Sequence, residues 1–171
     1  AEIATQTLSS VRFTSEYQKV GVKAPQWFNL AALVNAAIQR SLPGPVKIEN
    51  ALPEDREIYA DPLIGMVFAN LIDNALRYGM RLTQIRFTLE DLNGSAILVC
   101  EDNGIGVPAA KKEKIFTYEY GMDTGLGLFL SREILAITGI TISETGSEGS
   151  GARFEIACPE GIIRNAPPRA L

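Results

Sequence analysis

Apolar residues at Leu30, Leu33, Val34, Ala37 and Ile38 recur three and four apart, the spacing that gathers side chains on one stripe of an α-helix. Asn29 stands where it can cap that helix, and Pro43, Gly44 and Pro45 end it. A second stripe, Leu63, Met66, Val67, Leu71 and Ala75, follows Asp61-Pro62, a capping carboxylate with proline at the first helical position. It predicts a helix from Pro62 to about Tyr78, terminated by Gly79. A third helix is expected over residues 125–138. Residues 1–20 carry a looser helical pattern at Ile3, Leu8, Val11 and Tyr17, after which Gly21 and Pro25 punctuate a linker.

Between the helices the period shortens to that of strands. Residues 46–51 read as one short strand, and residues 82–90 and 95–101 as two more, joined by Asn93-Gly94, a hairpin signal because both turn positions tolerate positive φ. A glycine-punctuated loop over residues 102–124 leads into the third helix. Residues 140–145 and 152–157 then form a second hairpin closed by a Gly/Ser-rich turn, and residues 160–171, with Pro167-Pro168, read as a frayed tail. No repeat or low-complexity block interrupts the order. It predicts an α+β fold, a two-layer sandwich with three helices on one face of a mixed, largely antiparallel sheet. The expected division is a helical tail and linker over 1–24, one folding unit over 25–160 and a C-terminal tail over 161–171.

Composition narrows the classes. The 171 residues are enough for one ordinary core, and 46% hydrophobic with 21% charged is an average globular balance. A formal charge of -4 leaves no broad cationic surface for nucleic acid, so that partner is excluded from the reading. Cys100 and Cys158 sit in apolar runs without Cys-x-x-Cys spacing, and the chain has no histidine to complete a zinc site, so both are expected as buried thiols. No apolar stretch approaches the ~20 residues that cross a bilayer, and no membrane contact by this chain is expected. The chain opens at Ala1, inside a helical pattern, and reads as a piece of a longer protein.

Three short motifs carry candidate chemistry. Asn70, Asn74 and Arg77 share one stripe of the second helix, where two amides and a cation on an otherwise apolar element need partners. Asp102-Asn103-Gly104-Ile105-Gly106 follows a strand, so a carboxylate that accepts hydrogen bonds sits beside glycines that let backbone approach a flat ligand. Thr124-Gly125-Leu126-Gly127-Leu128 opens the third helix, whose unpaired N–H groups suit an anion. Each has a plain alternative when taken alone: a solvated polar stripe, an ordinary turn, a helix start. The third motif is neither a Walker A loop nor a Rossmann fingerprint, because no Gly-Lys-Ser/Thr follows and no first βαβ strand precedes.

Together and in this order the motifs resemble the ATP-binding domain shared by sensor histidine kinases, Hsp90 chaperones, type II topoisomerases and mismatch-repair ATPases, a Bergerat-type fold. Within that superfamily the resemblance is to histidine kinases. Asn70 to Tyr78 is similar to their N box, Asp102 to Gly106 to the G1 box, Ile115-Phe116 to the F box and Gly125 to Leu128 to the G2 box. Phe129 to Leu135 resembles archaeal kinases in particular.

The resemblance implies roles for these residues. Asn70 would hold Mg²⁺ through its side-chain oxygen, Asn74 would support metal and phosphates, and Arg77 would face the phosphates. Tyr78 would lie against adenine, Asp102 would accept its amino hydrogen, and Gly104 and Gly106 would give the ring room. Gly125, Leu126, Gly127 and Leu128 would offer backbone donors to the phosphates, under a mobile lid over residues 107–124. Hydrolytic relatives carry Glu where this chain has Asn70, and an amide cannot activate water, so phosphoryl transfer is implied rather than hydrolysis.

The acceptor histidine would lie on an absent dimerisation domain whose last helix is residues 1–20. A response regulator would follow as partner, in a cytoplasmic setting, and the isolated domain would be a monomer. Asp123 stands where the family often has glycine, and Ala152 lacks a hydroxyl the family uses near adenine. Those departures keep a regulatory nucleotide-binding module open as an alternative, and a serine kinase or ATPase of the same superfamily is another. Lys111, Lys112 and Lys114 read as a solvated charge run or as phosphate partners.

Overall fold

The computed structural model describes residues 2–169, without the side chains of Glu2, Gln6, Ser9, Met122, Asp123 and Thr124. The elements run α1 (Glu2–Tyr17), β1 (Gln26–Asn29), α2 (Leu30–Arg40), β2 (Lys47–Asn50), β3 (Arg56–Ala60), α3 (Ile64–Tyr78), β4 (Gln84–Leu92) and β5 (Ser95–Asp102). Two 3₁₀ turns, Ala109–Lys111 and Lys114–Phe116, precede α4 (Tyr118–Thr124), α5 (Gly127–Ala136), β6 (Thr141–Glu144), β7 (Arg153–Cys158) and β8 (Ile163–Asn165).

Five strands form the main sheet in the order β2-β4-β5-β7-β6, with β2 parallel to β4 and every other pair antiparallel. Register puts Phe87 opposite Cys100, Cys100 opposite Phe154 and Leu98 opposite Ile156, so the apolar set of each strand faces the helices. Against it α3 lays Ile64, Val67, Phe68, Leu71 and Ile72, with Phe68 edge-on to Phe87 at 6.2 Å between centroids. Each fully buried Phe or Leu contributes about 1.5–3 kcal/mol of transfer free energy. The opposite face is polar: the Arg153 guanidinium bonds Glu90, Glu155 and Glu101, and those bonds hold it charged.

The α+β reading and the mixed sheet hold, and the structure adds a second sheet that periodicity did not indicate. It is three-stranded, β1-β3-β8, and antiparallel. Strands of three to five residues are too short to show a period of two. The expected frayed tail therefore contains a paired strand, with Ile163 opposite Ile58.

Helix boundaries also move. Asn29 caps α2 as expected, accepting from the Ala32 N–H at 2.8 Å. The helix expected from Pro62, α3, begins at Ile64, because the buried Asp61 spends one oxygen on the Leu63 N–H and the other on the Gly21 N–H, tying the end of the linker to the start of α3. Gly79 stays right-handed at φ -69, and Met80 is the residue at positive φ. The expected loop over residues 102–124 folds into the two 3₁₀ turns and α4. Cys100 and Cys158 are buried and unpaired, as expected, and burial pushes the Cys158 thiol up to about 12.

Candidate functional site

One end of α3 and the segments on either side of α4 surround a cavity of ≈ 350 Å³, within the range of small-ligand pockets. Its polar rim is Asn70, Asp73, Asn74, Arg77 and Lys111, and Tyr78, Ile105, Val107, Ile115 and Leu128 supply apolar wall. The i, i+3, i+4 spacing of Asn70, Asp73, Asn74 and Arg77 puts four polar groups on the edge of a helix whose remaining stripe is core. Arg77 is held there by Asp73 at 3.1 Å.

Asn70 is the most constrained of these. Its amide nitrogen donates to Gly127 O at 3.0 Å and to Ser131 Oγ at 3.1 Å, and Ser131 Oγ donates in turn to Gly127 O at 2.8 Å. The α3 stripe is thereby fastened to the first turn of α5. A Cβ at Gly127 would stand 3.1 Å from the Asn70 amide carbon and oxygen, so glycine lets helix start and amide meet.

The turn after β5 is braced from three sides. Asp102 Oδ1 accepts from Gly104 N at 2.9 Å and from Ala152 N at 3.1 Å. Asn103 accepts from Thr83 N and Gln84 N and donates to Thr83 Oγ1, pinning the turn to the start of β4. Ile105 N donates to Gly79 O, and Ile105 O accepts from Gly149 N. Burial raises the pKa of Asp102 above its ordinary value, opposed by the two N–H donors and reinforced by the charge of Glu144.

Of the expected site residues, Asn70, Asn74, Arg77, Tyr78, Gly106, Gly125, Gly127 and Leu128 line the cavity, whereas Asp102, Gly104 and Leu126 do not. Two assignments change. Gly104 and Gly106 are glycines because protein backbone fills the space a Cβ would need: Gly79 O lies 2.6 Å from it at Gly104, and Ser147 O 2.8 Å from it at Gly106. Gly125 belongs to the end of α4, where its N–H donates to Gly121 O, and the open helix start is the first turn of α5 beginning at Gly127.

Lys112 is neither solvated nor turned to the cavity but pairs with Glu144, while Lys111 reaches the rim. Ala152 meets Asp102 through its backbone. The Asp123 side chain lies outside the described residues. Ser131, Asn103 and Glu144 were not singled out from sequence. A signal for Ser131 existed, a serine four residues after the first helical glycine, where its hydroxyl returns to the i-4 carbonyl.

The family described as histidine kinase-, DNA gyrase B-, and HSP90-like ATPase matches residues 60–162. The sensor protein kinase WalK of Staphylococcus epidermidis is 34% identical over 110 residues, covering 58% of this chain and 18% of WalK. The chain thus spans about a fifth of the length of such relatives. Full-length ShkA in complex with AMPPNP shares the fold at TM-score 0.76 and 22% identity, covering 98% of this chain and 38% of ShkA. The catalytic domain of the histidine kinase ThkA superposes at TM-score 0.65 with 27% identity, over 81% of this chain and 98% of that domain.

Proposed function

Because the chain belongs to the histidine kinase-, DNA gyrase B-, and HSP90-like ATPase family, we propose that it is the ATP-binding catalytic domain of a sensor histidine kinase. It holds ATP with magnesium and presents the γ-phosphoryl group to a histidine on an adjoining dimerisation domain, from which phosphate passes to a response regulator. The observation that carries this reading is the meeting of Asn70 with the start of α5 across one cavity, which brings an amide oxygen and first-turn N–H groups to the same place. The names of WalK, a sensor protein kinase, and ThkA, a histidine kinase, favour this branch of the family.

The residues fit a magnesium ion. Gly127 O only accepts, so the Asn70 nitrogen must face it, and among the described residues no donor reaches the Asn70 oxygen. Mg²⁺ takes one or two protein oxygens and fills its remaining positions with phosphates and water. The ion would neutralise phosphate charge, and the chain's own part is positioning. Arg77 and Lys111 supply cations on the rim, Tyr78 and Ile105 supply wall for adenine, and Asp102 Oδ2 is left to accept its amino hydrogen. An amide at residue 70 leaves attacking water without a base there, which preserves the γ-phosphoryl group for the acceptor.

In this reading α1 is the end of the dimerisation helix, residues 25–160 are the catalytic unit and the setting is the cytoplasm. No helix among the described residues is long and apolar enough to cross a membrane. The test mixes this chain with a histidine-bearing dimerisation domain and γ-labelled ATP. Acid-labile label on histidine is expected. Acid-stable label on serine, or release of free phosphate without any protein label, overturns the proposal.

A further inference from the structure

Asn70 can serve a cation only if its oxygen faces the cavity, and three polar atoms decide which end does. Gly127 O takes the Asn70 nitrogen at 3.0 Å. The Ser131 hydroxyl has a single hydrogen, and it points to that same carbonyl at 2.8 Å, so its lone pairs are what the Asn70 nitrogen meets at 3.1 Å. Both neighbours therefore accept from the amide. A turned amide would set its oxygen against a carbonyl and against a hydroxyl whose hydrogen is already engaged. Ser131 is completely buried on an otherwise apolar face of α5, beside Leu128, Leu130, Ile134 and Leu135, where a hydroxyl has no packing advantage over alanine.

We propose that Ser131 is a positioning residue: its hydroxyl fixes the Asn70 amide with oxygen outward, and so sets how strongly ATP binding depends on magnesium. This rests on the reading of the site above. Ser131 touches neither nucleotide nor metal in this scheme, and its effect passes entirely through Asn70, as outer partners of metal ligands act generally.

Calorimetric titration of ATP with Mg²⁺ and with EDTA tests it in the wild type, Ser131→Ala, Ser131→Cys, Asn70→Ala and the Ser131→Ala/Asn70→Ala pair. Ser131→Ala should weaken binding of magnesium-ATP by roughly tenfold and leave binding in EDTA unchanged. The double variant should bind no more weakly than Asn70→Ala, because the hydroxyl has no other route to the ligand. Ser131→Cys keeps the shape of the side chain, with a larger atom at its end, but offers only a weak donor and acceptor. It should share the loss, and it carries the test should the alanine variant fold poorly.

Full magnesium dependence in Ser131→Ala or Ser131→Cys overturns the inference while leaving the nucleotide reading intact, as does an additive loss in the double variant. If Asn70→Ala keeps wild-type magnesium dependence, the role of Asn70 itself is wrong and the inference falls with it.

Discussion

Lys112 and Glu144 form an ion pair whose carboxylate side is completely enclosed. Lys112 also donates to Gly146 O at 2.7 Å, and Glu144 Oε1 accepts from Gly146 N and Arg153 N. The segment following the Asp102 turn is thus buckled to the turn between β6 and β7. Lys112→Met would strand a buried carboxylate, at a cost of about 3–5 kcal/mol. Adding Glu144→Gln should recover most of that loss, since the amide oxygen still accepts from both backbone donors. Urea unfolding at neutral pH measures both variants; a loss below about 0.5 kcal/mol in the single variant would show that the pair stabilises nothing.

Asp102→Asn separates binding from folding. The asparagine oxygen can take the Gly104 and Ala152 N–H groups as Asp102 Oδ1 does, while its NH₂ would oppose the adenine amine. Nucleotide binding should be lost and the fold kept. Burial, the largest influence, sets the folded pKa of Asp102 above its ordinary 3.8. The folded chain then binds more protons than the unfolded one, so this residue costs stability as pH climbs from about 3.8 through the raised folded value, and the cost is constant above it. The asparagine variant lacks that decline. It should equal or exceed the wild type in stability at neutral pH, and unfolding curves across pH 3–7 would show the two diverging upward in that window.

Phe129 meets Phe13 at 6.1 Å, Tyr17 at 6.1 Å and Tyr118 at 5.6 Å between ring centroids. These rings join α1 to α4 and α5, the two helices that flank the open N–H groups of the site. Pairs of this kind contribute about 0.5–1.5 kcal/mol each beyond area burial. Phe129→Ala should release α1 and loosen the segment before α4 together, so trypsin should cut faster after Arg12 and after Lys114 in the same variant. Faster cutting at only one of them would show that the rings do not couple the two segments.

Which of these features could be read from the chain depended on their reach along it. The stripe of α3 and the alternation of β4 and β5 are local patterns, and the sequence conveyed them within two residues. Asn70, Asn74 and the glycine-rich helix start, which line one cavity, stood out for the same reason. By contrast β1, β3 and β8 are short and gain their strand character only by pairing across 30 to more than 100 residues, as in Trp27 with Tyr59 and Ile58 with Ile163. Lys112 looked like one of three solvated lysines until Glu144, 32 residues later, was found beneath it. Ser131 carried a local signal for its bond to the Gly127 carbonyl, but its partner Asn70 lies on another helix, 61 residues away, and no local pattern points to it.

Gly104 gives the sharpest separation between conformational and steric reasons for a glycine. Its φ is not positive, so alanine could adopt the backbone, yet an added Cβ would lie 2.6 Å from Gly79 O, 2.7 Å from Gly79 Cα and 3.0 Å from Gly79 C. All three are backbone atoms at the end of α3, and the Ile105 N–H bond to Gly79 O at 3.1 Å holds the two segments against each other. Gly104→Ala must therefore push the turn off α3, at about 3 kcal/mol, and should carry Tyr78 and Ile105 out of place with it, so nucleotide affinity falls alongside stability. Gly65→Ala is the matched control: it lies inside α3 with nothing within 4 Å of its added Cβ, and should stabilise by about 0.5–1 kcal/mol. Equal and small effects from the two substitutions, measured by thermal unfolding with and without ATP, would mean that the turn and the helix end are not in contact in solution.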